Sequence, residues 1–317
     1  MVKRSFTLIE AIFVIVILSF LLIGGFQIIS KLYVRNFIAQ KTAEFEFTSQ
    51  QILDELSRRL YYRVPLSTIG YDGKGDFKYI GDIDDPDKYK ILEWIGYEND
   101  AMKELNLSGF IDLYASNKKN KLIKCLDFNY SFIEVIVNNK FNFNKDLNQS
   151  SAIVFAGSFD RGEEGALTDY NNSFGWHNNE HKLVYTFEKN STLNNDTFLK
   201  LHIDSGDIYE KFYLVDSAYA VARGEDINTS ADCIKNLNIP LNEINDTLFL
   251  FYNYRPWLKE TFCADSYGEP EGNVSVLGFN IKAFRVKKVN SHLEIKITLN
   301  KKRGDINITV SKQKVAF

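Results

Sequence analysis

Residues 3–31 read KRSFTLIEAIFVIVILSFLLIGGFQIISK. Lys3 and Arg4 precede a run from Ala11 to Ile29 that has no charged residue, and Lys31 ends it. About 20 apolar residues in a helix are long enough to cross a bilayer. Because basic residues stay on the cytoplasmic side, the N-terminus is expected in the cytoplasm and the remaining chain on the far side. The stretch therefore predicts a single-pass membrane helix.

Glu10 stands at the head of this apolar run. An unpaired charge costs about 2.5–3.5 kcal/mol at the centre of a bilayer and less near its edge. Glu10 is therefore expected to have a partner. Gly24 and Gly25 interrupt the run, and they predict either a place where the helix bends or a place where helices pack closely.

The sequence KRSFTLIE, from Lys3 to Glu10, resembles the type III signal of type IV pilins and type II secretion pseudopilins. The resemblance implies that a prepilin peptidase cuts between Ser5 and Phe6 and methylates the new Phe6 amine. It also implies that Glu10 pairs with the Phe6 amine of a neighbouring subunit during filament assembly. Ser5 departs from the family pattern, where Gly usually precedes the cut. The alternative is a plain signal anchor.

The helix is predicted to continue beyond the apolar run, because no proline occurs before Pro65. Apolar residues recur at mostly helical intervals among charged ones. They are Tyr33, Phe37, Phe45, Ile52, Leu56 and Leu60. The predicted organisation is a leader at 1–5, a transmembrane and filament-core helix at 6–30, an amphipathic continuation at 31–64 and a periplasmic β-rich body at 65–317.

The body is predicted to be antiparallel β structure, because short β-like runs alternate with Asn, Asp, Gly and Ser. The predicted strands are Lys90–Ile95, Phe110–Ala115, Leu122–Phe128, Phe132–Val137, Ala152–Phe155, Leu183–Phe187, Phe198–Ile203, Lys211–Ala222, Thr247–Tyr254 and Val274–Val289, followed by an alternating run from Leu293 to Leu299. The predicted fold class is α+β, with a long N-terminal helix packed on a large antiparallel β body, as in pilins.

The composition indicates a globular chain, since 45% of the 317 residues are hydrophobic. The net charge of −3 argues against a protein that coats nucleic acid. The three cysteines match no zinc-site spacing. Cys233 and Cys263 lie in polar segments and are expected to form a disulfide in an oxidising compartment. Cys125 lies in an apolar run and is expected to be a buried thiol.

Ten Asn-x-Ser/Thr sequons occur, and nine have Asp or Glu two positions earlier. Those nine are Asn106, Asn129, Asn148, Asn171, Asn190, Asn228, Asn245, Asn273 and Asn307; Asn195 lacks the acid. Asp and Glu are 41 of 317 residues, so chance predicts the acid at about one sequon in ten. The pattern resembles the extended acceptor of bacterial oligosaccharyltransferases, which implies glycosylation of some sites. Accidental sequons in an Asn-rich chain are the alternative.

Two further motifs suggest metals. The first is an acidic loop, a weak candidate for Ca²⁺ that also fits a solvated turn, because Pro86 interrupts it and no EF-hand pattern is in register. Its carboxylates are Asp82, Asp84, Asp85 and Asp87. The second is His177-Asn-Asn-Glu180-His181, which matches a zinc-protease string but follows a loop-like segment. It is expected to be a solvated loop, and neither a resident cofactor nor catalytic activity is predicted.

The C-terminal segment is basic, with ten Lys or Arg in residues 272–317 against Glu294 and Asp305. Such a patch contacts DNA phosphates without reading sequence. A solvated hairpin face, or a contact with an acidic neighbouring subunit, is the alternative.

The leading hypothesis is a minor pilin or pseudopilin of the J or W type, a structural subunit of a type II secretion or type IV pilus filament, with DNA uptake as one possible role. The resemblance implies as partners other pilins or pseudopilins, the prepilin peptidase, the inner-membrane assembly platform and, before assembly, membrane lipid. The alternative function is a membrane-anchored or filament-tip adhesin whose β body binds a ligand.

Overall fold

The computed structural model describes residues 8–104, 107–141, 145–159, 170–190, 197–202, 208–290 and 292–316. The helices are α1 (Leu8–Tyr61), α2 (Asn99–Glu104), α3 (Tyr130–Phe141), α4 (Asp232–Lys235) and α5 (Leu241–Ile244). The strands are β1 (Ile69–Tyr71), β2 (Phe77–Tyr79), β3 (Ile91–Tyr97), β4 (Ile111–Asn117), β5 (Leu122–Cys125), β6 (Ala152–Phe155), β7 (Thr186–Lys189), β8 (Phe198–His202), β9 (Phe212–Arg223), β10 (Leu248–Tyr254), β11 (Glu260–Phe262), β12 (Glu269–Glu271), β13 (Asn273–Gly278), β14 (Ile281–Val289), β15 (His292–Arg303) and β16 (Ile306–Ala316). The predicted fold class is confirmed: a long apolar N-terminal helix precedes a large, mainly antiparallel β body.

Helix α1 runs unbroken for 54 residues, about 80 Å at 1.5 Å per residue. It passes through Gly24 and Gly25 without interruption. It ends at Tyr61, shortly before the predicted boundary, because Pro65 disfavours helical geometry at Val64. The Val64 amide instead donates a hydrogen bond to the Ile95 carbonyl, 2.8 Å away, so the chain enters the body directly from the helix.

The body is centred on a seven-stranded sheet ordered β13-β10-β9-β3-β1-β2, with β6 also pairing with β9. All of its pairs are antiparallel. The central strands β9 and β10 are buried nearly throughout, because both faces of the sheet are covered. One face packs against α1 and a three-stranded sheet, β14-β15-β16, and the other lies under loops that carry Trp176 and Trp257.

The C-terminal part of α1 buries one face in this core. Its buried residues recur every three or four positions, the spacing of one helix face. They are Phe45, Ser49, Ile52, Leu53, Leu56 and Leu60. All of them except Ser49 share a hydrophobic cluster with Trp94 and Leu250 of the large sheet and with Ile297 of the three-stranded sheet.

A second unit of the body combines the sheet β4-β5-β8-β7 with helix α3. Here the predicted strand Phe132–Val137 is wrong, since those residues lie within α3. The Phe132 amide donates to Asn129 Oδ1 at 3.1 Å, which caps the helix. Tyr130, Ile133 and Val137 are buried at helical spacing.

The predicted strand Val274–Val289 is divided in the structure. Strand β13 ends at Gly278 and β14 begins at Ile281. Asn280 between them has φ 61°, in the left-handed region that strand backbone does not adopt. The break lets β13 join the large sheet while β14 joins the three-stranded sheet.

Candidate functional site

The first two thirds of α1 are bare. No residue of the range 8–44 is buried, whereas several of the range 45–61 are; we call these the bare segment and the packed segment. Large side chains of the bare segment are widely exposed, with Phe13 at 64%, Phe20 at 74% and Phe26 at 70%. The helix is long and apolar enough to cross a membrane. An apolar surface of this extent marks contact with lipid or with other protein chains.

Glu10 lies in the first turn of α1 and is exposed. An acid at a helix N-terminus is favoured by the exposed amides and dipole there. The predicted cut between Ser5 and Phe6 lies outside the described residues.

The paired glycines sit in the middle of the bare segment. A Cβ added at Gly24 or Gly25 would meet no atom of the described chain within 4 Å. Packing within this chain therefore does not explain them. Both predicted explanations, a bend of the helix during assembly and close packing against another helix, concern the chain in contact with other chains.

Charged contacts join the packed segment to the C-terminal sheet. Lys312 Nζ lies 2.8 Å from Glu46 Oε2, and Lys314 Nζ lies 2.5 Å from Asp54 Oδ1. These lysines lie on β16, so part of the predicted basic C-terminal segment faces the helix. The other eight lysines and arginines of that segment lie on β14 and β15, where Arg285 of β14 pairs with Asp87 at 2.6 Å.

A buried charged cluster surrounds His177, so the prediction of a solvated loop is wrong for this residue. The His177 side chain is 3% exposed, and its Nε2 lies 2.9 Å from Glu93 Oε1. Its Nδ1 lies 3.4 Å from Asp265 Oδ2, and its ring stacks on Tyr71 with centroids 3.8 Å apart. The Tyr254 hydroxyl donates to Glu93 Oε2 at 2.7 Å. The cluster holds β1, β3 and β10 to the loops that cover the sheet.

Burial alone lowers the pKa of His177, but the negative charge of Glu93 and the contacts with Asp265 outweigh it. The net effect raises the pKa of His177 to about 9. The imidazole is therefore protonated at neutral pH, as a cation between two carboxylates. A protonated imidazole cannot ligate a metal ion.

The rest of the zinc-protease string does not converge on a site. Glu180 is exposed, and His181 Nδ1 contacts the carbonyl of Val184 at 2.8 Å. Among the described residues no group of three or more His, Cys, Asp or Glu side chains is placed to hold a metal ion. Gly175 (φ 83°) next to Trp176 is the one local sign that this loop turns inward.

A polar cleft lies beside the His177 cluster, with a volume of about 820 Å³. Asp265 belongs to both the cluster and the cleft wall. Other lining residues include Asp72, Lys88, Lys90, Asp226 and Tyr267. Charges of both signs and an aromatic ring give the cleft the chemistry of a site for a polar ligand.

A second buried charged cluster joins α3 to the large sheet. Lys140 Nζ lies 2.7 Å from Glu98 Oε2 and 2.6 Å from Asp216 Oδ2. Burial and then the neighbouring Asp216 raise the pKa of Glu98 to about 8. For Asp216, burial works in the same upward direction, but the cation of Lys140 outweighs it and lowers the pKa. Of the two carboxyl groups that share Lys140, Glu98 is therefore the one on which a proton is favoured.

The four carboxylates of the acidic loop are exposed, while Ile83 and Pro86 between them are half-buried. Asp87 pairs with Arg285, and its backbone amide donates to Asp85 Oδ1 at 3.0 Å. Neither Asp82 nor Asp84 belongs to a metal-ligand group within the described residues. The loop is thus arranged as a turn that contacts the C-terminal sheet.

The structure joins Cys233 and Cys263 in a disulfide with Cα atoms 6.4 Å apart. Both cysteines pack against the core of the large sheet. Cys125 is a buried free thiol, and burial raises its pKa well above the ordinary value. It is therefore an unreactive core residue.

The acid-flanked sequons are spread over the body. Asn129, Asn171, Asn228, Asn245, Asn273 and Asn307 are exposed, while Asn148 and Asn190 are half-buried. Asn106 and the acid-free Asn195 lie outside the described residues.

The bare segment is a long exposed helix surface with many large apolar side chains, and the cleft is a concave surface lined by charged side chains. Comparisons with protein-family models, with curated proteins and with solved structures find no match. Function is therefore inferred from the residues and their geometry.

Proposed function

We propose that this chain is a minor pilin or pseudopilin, a structural subunit of a type IV pilus or type II secretion filament. One observation carries the proposal: a single unbroken helix is bare over 8–44, with an uncharged, mainly apolar run at 11–30, and it buries one face under the body over 45–61. The buried helix residues of the core all come from the packed segment, and Phe37 of the bare segment packs at the edge of that core. The bare segment is free to exchange lipid for the helices of neighbouring subunits.

The proposed life cycle follows from this division. The bare segment holds the subunit in the inner membrane, with the N-terminus in the cytoplasm and the body in the periplasm. After prepilin peptidase cuts before Phe6, the segment leaves the bilayer and packs in the filament core. Because lipid tails are as apolar as the side chains, close packing between helices rather than burial from water drives this step.

Glu10 is proposed to set the register of assembly. Placing a carboxylate in apolar surroundings costs free energy unless a cation lies beside it. In this proposal the cation is the methylated Phe6 amine of the neighbouring subunit. Within each chain Phe6 and Glu10 are about one helical turn apart. Pairing at one position then fixes how far each helix slides past its neighbour.

The size of the body supports a minor subunit. Residues 65–317 form several sheets with three hydrophobic clusters. A body this large is awkward to repeat at every position along a filament. We propose a position at or near a filament tip.

The terminus of the mature chain tests the processing step. Protein purified from native membranes should begin at methylated Phe6, as read by N-terminal sequencing and mass spectrometry. A chain that retains Met1 contradicts the proposal and supports the plain anchor.

Glu10→Val tests the assembly step, and Glu44→Val is the matched control in the same helix. Glu44 is exposed and pairs with Lys41 at 2.5 Å. Glu10→Val should abolish incorporation into filaments while the body stays folded, whereas Glu44→Val should assemble normally. The readout is the amount of subunit in sheared filaments relative to membranes. Normal assembly of Glu10→Val would overturn the proposed role.

The polar cleft favours a second candidate, an adhesin or ligand-binding subunit. Tyr267 lines the cleft and is 50% exposed. In that case Tyr267→Ala should weaken binding of a polar ligand, while Glu10→Val should leave binding intact. The two variants therefore separate assembly from recognition.

A further inference from the structure

The nine sequons that carry an acid two positions before asparagine are the least expected feature of the body. The structure offers two explanations for those acids. They either stabilise the fold locally, or they are read by a molecule outside this chain.

Most of the acids have no partner side chain that would explain them by the fold. Eight of the nine lie in the described residues, and two pair with lysines: Glu188 with Lys200 at 2.9 Å and Asp226 with Lys90 at 3.4 Å. The other six have no ion pair or side-chain hydrogen bond within the described chain. They are Glu104, Asp127, Asp146, Glu243, Glu271 and Asp305. A structural role does not explain why an acid recurs at this one offset.

The asparagines are placed to react. Six of the eight described acceptors are exposed, although they sit in different contexts: the cap of α3, a 3-10 turn, loops and strand edges. At Asn129 the carbonyl Oδ1 accepts the Phe132 amide, and at Asn228 it accepts the Ser230 amide at 3.0 Å. At Asn307 it accepts Asn300 Nδ2 at 2.8 Å. In all three, no hydrogen bond within the described residues engages the side-chain nitrogen.

We propose that the exposed acid-flanked sequons carry N-linked glycans, attached by a membrane-embedded oligosaccharyltransferase that recognises the acid two positions before asparagine. The donor is a lipid-linked oligosaccharide diphosphate. A bond forms between asparagine Nδ2 and the anomeric carbon of the sugar. The bond from that carbon to the diphosphate oxygen breaks, the lipid diphosphate leaves with the electron pair, and the amide proton passes to a base of the enzyme. The proposal rests on the proposed function only in placing residues 65–317 outside the cytoplasm.

Two of the sites lie on sheet edges. Asn273 begins β13, the last strand on one side of the large sheet, and Asn307 lies on β16, the outer strand of the three-stranded sheet. Exposed edge strands pair readily with strands of other chains. A glycan at these positions keeps the edges from pairing. Asn148 is excluded from the proposal, because the asparagine itself is half-buried and its Oδ1 is buried.

The test is intact-mass and glycopeptide mass spectrometry of the full chain purified from native membranes. We expect whole-number multiples of one glycan mass, located on the six exposed asparagines. Asn307→Gln and Asp305→Ala should each remove one glycan, from Asn307 alone. Asn195→Gln should remove none, since that sequon lacks the acid, and Leu193→Asp should add one at Asn195.

Two results would overturn the proposal. One is an unmodified mass at every sequon in protein whose body is shown, by protease digestion of spheroplasts, to lie outside the cytoplasm. The other is full occupancy of Asn307 in Asp305→Ala, which removes the role of the acid. Reading the N-terminus in the same sample keeps the two proposals apart: glycans on a chain that retains Met1 would refute filament processing alone, and a bare chain that starts at methylated Phe6 would refute glycosylation alone.

Discussion

The bare and packed segments of α1 are parts of one continuous helix with different surroundings. The packed segment places Leu56 and Leu60 in a core with no exposed surface, while Leu21 of the bare segment is 67% exposed. The packed segment follows the amphipathic pattern expected beside a protein core, whereas residues 11–30 of the bare segment carry no charge on any side and 31–44 again mix apolar with charged residues. The difference shows that the helix is divided by what covers it, because its backbone geometry is the same throughout.

The largest expected effect is on membrane attachment. Deleting residues 8–30 removes the apolar run and leaves the packed segment, so the body should move completely from the membrane fraction to the soluble fraction. Circular dichroism should show the same β content as in the full chain. Retention of the shortened protein in membranes would mean that the body itself binds lipid. It would contradict the assignment of membrane attachment to the bare segment.

A pair of identical substitutions tests the division by stability. Leu56→Ala leaves a cavity in the core and should lower the free energy of unfolding by about 2–5 kcal/mol. Leu21→Ala touches nothing in the body and should change it by less than about 0.5 kcal/mol. Urea unfolding in detergent, followed by tryptophan fluorescence, measures both. Equal effects would show that the bare segment also packs on the body.

Buried charge is a further difference between the body and the apolar run of α1. The body holds His177 between two carboxylates, whereas residues 11–30 carry no charge. The pKa of His177 is about 9 in the folded protein against an ordinary value of 6.5. Protonated His177 therefore stabilises the folded state. This contribution to the unfolding free energy is fully present below pH 6.5 and is lost as pH rises through 9, with an amplitude on the order of 3 kcal/mol.

His177→Phe should therefore reduce the decline in unfolding free energy between pH 6.5 and 9. His202→Gln is the control, since the His202 side chain is 50% exposed and should not alter that decline. An unchanged slope in His177→Phe would mean that the buried imidazole is neutral in the native state.

The smallest effect is expected at the charged seam between the packed segment and β16. Lys312→Gln breaks the ion pair with Glu46 and should cost about 0.2–1 kcal/mol of unfolding free energy, because both partners are partly solvated. The loss should shrink at high salt. Lys301→Gln, at an exposed lysine of β15, should change nothing. If Lys312→Gln lowered the free energy of unfolding by several kcal/mol, the ion pairs between the helix and β16 would contribute much more to holding the helix than expected.

The sequence predicts α1 well because the evidence for it is local. The unbroken apolar run, the helical spacing of Phe45, Ile52 and Leu56, and the stop before Pro65 all lie in adjacent residues. The error at Phe132–Val137 is also local: the run is rich in β-formers, yet the Asn129 cap and the helical spacing of its buried residues indicated α3.

The charged clusters were not predictable in the same way. His177 meets Glu93 and Asp265, which are 84 and 88 residues away in sequence. Lys140 meets Glu98 and Asp216, which are 42 and 76 residues away. No pattern within a single segment identifies such partners. From its own segment, the polar sequence around His177 predicts a solvated loop. Its burial depends on carboxylates that only the folded chain brings close to it.

The order of the chain has a consequence for biogenesis. The packed segment is made well before β14 to β16, the strands that cover part of it, and Ala316 of β16 lies in the same core. Until those strands have been made, part of the apolar face of the packed segment has no partner within the described core. The core is therefore completed late in synthesis, and a nascent chain that stalls before β14 presents that face to holdase chaperones and proteases.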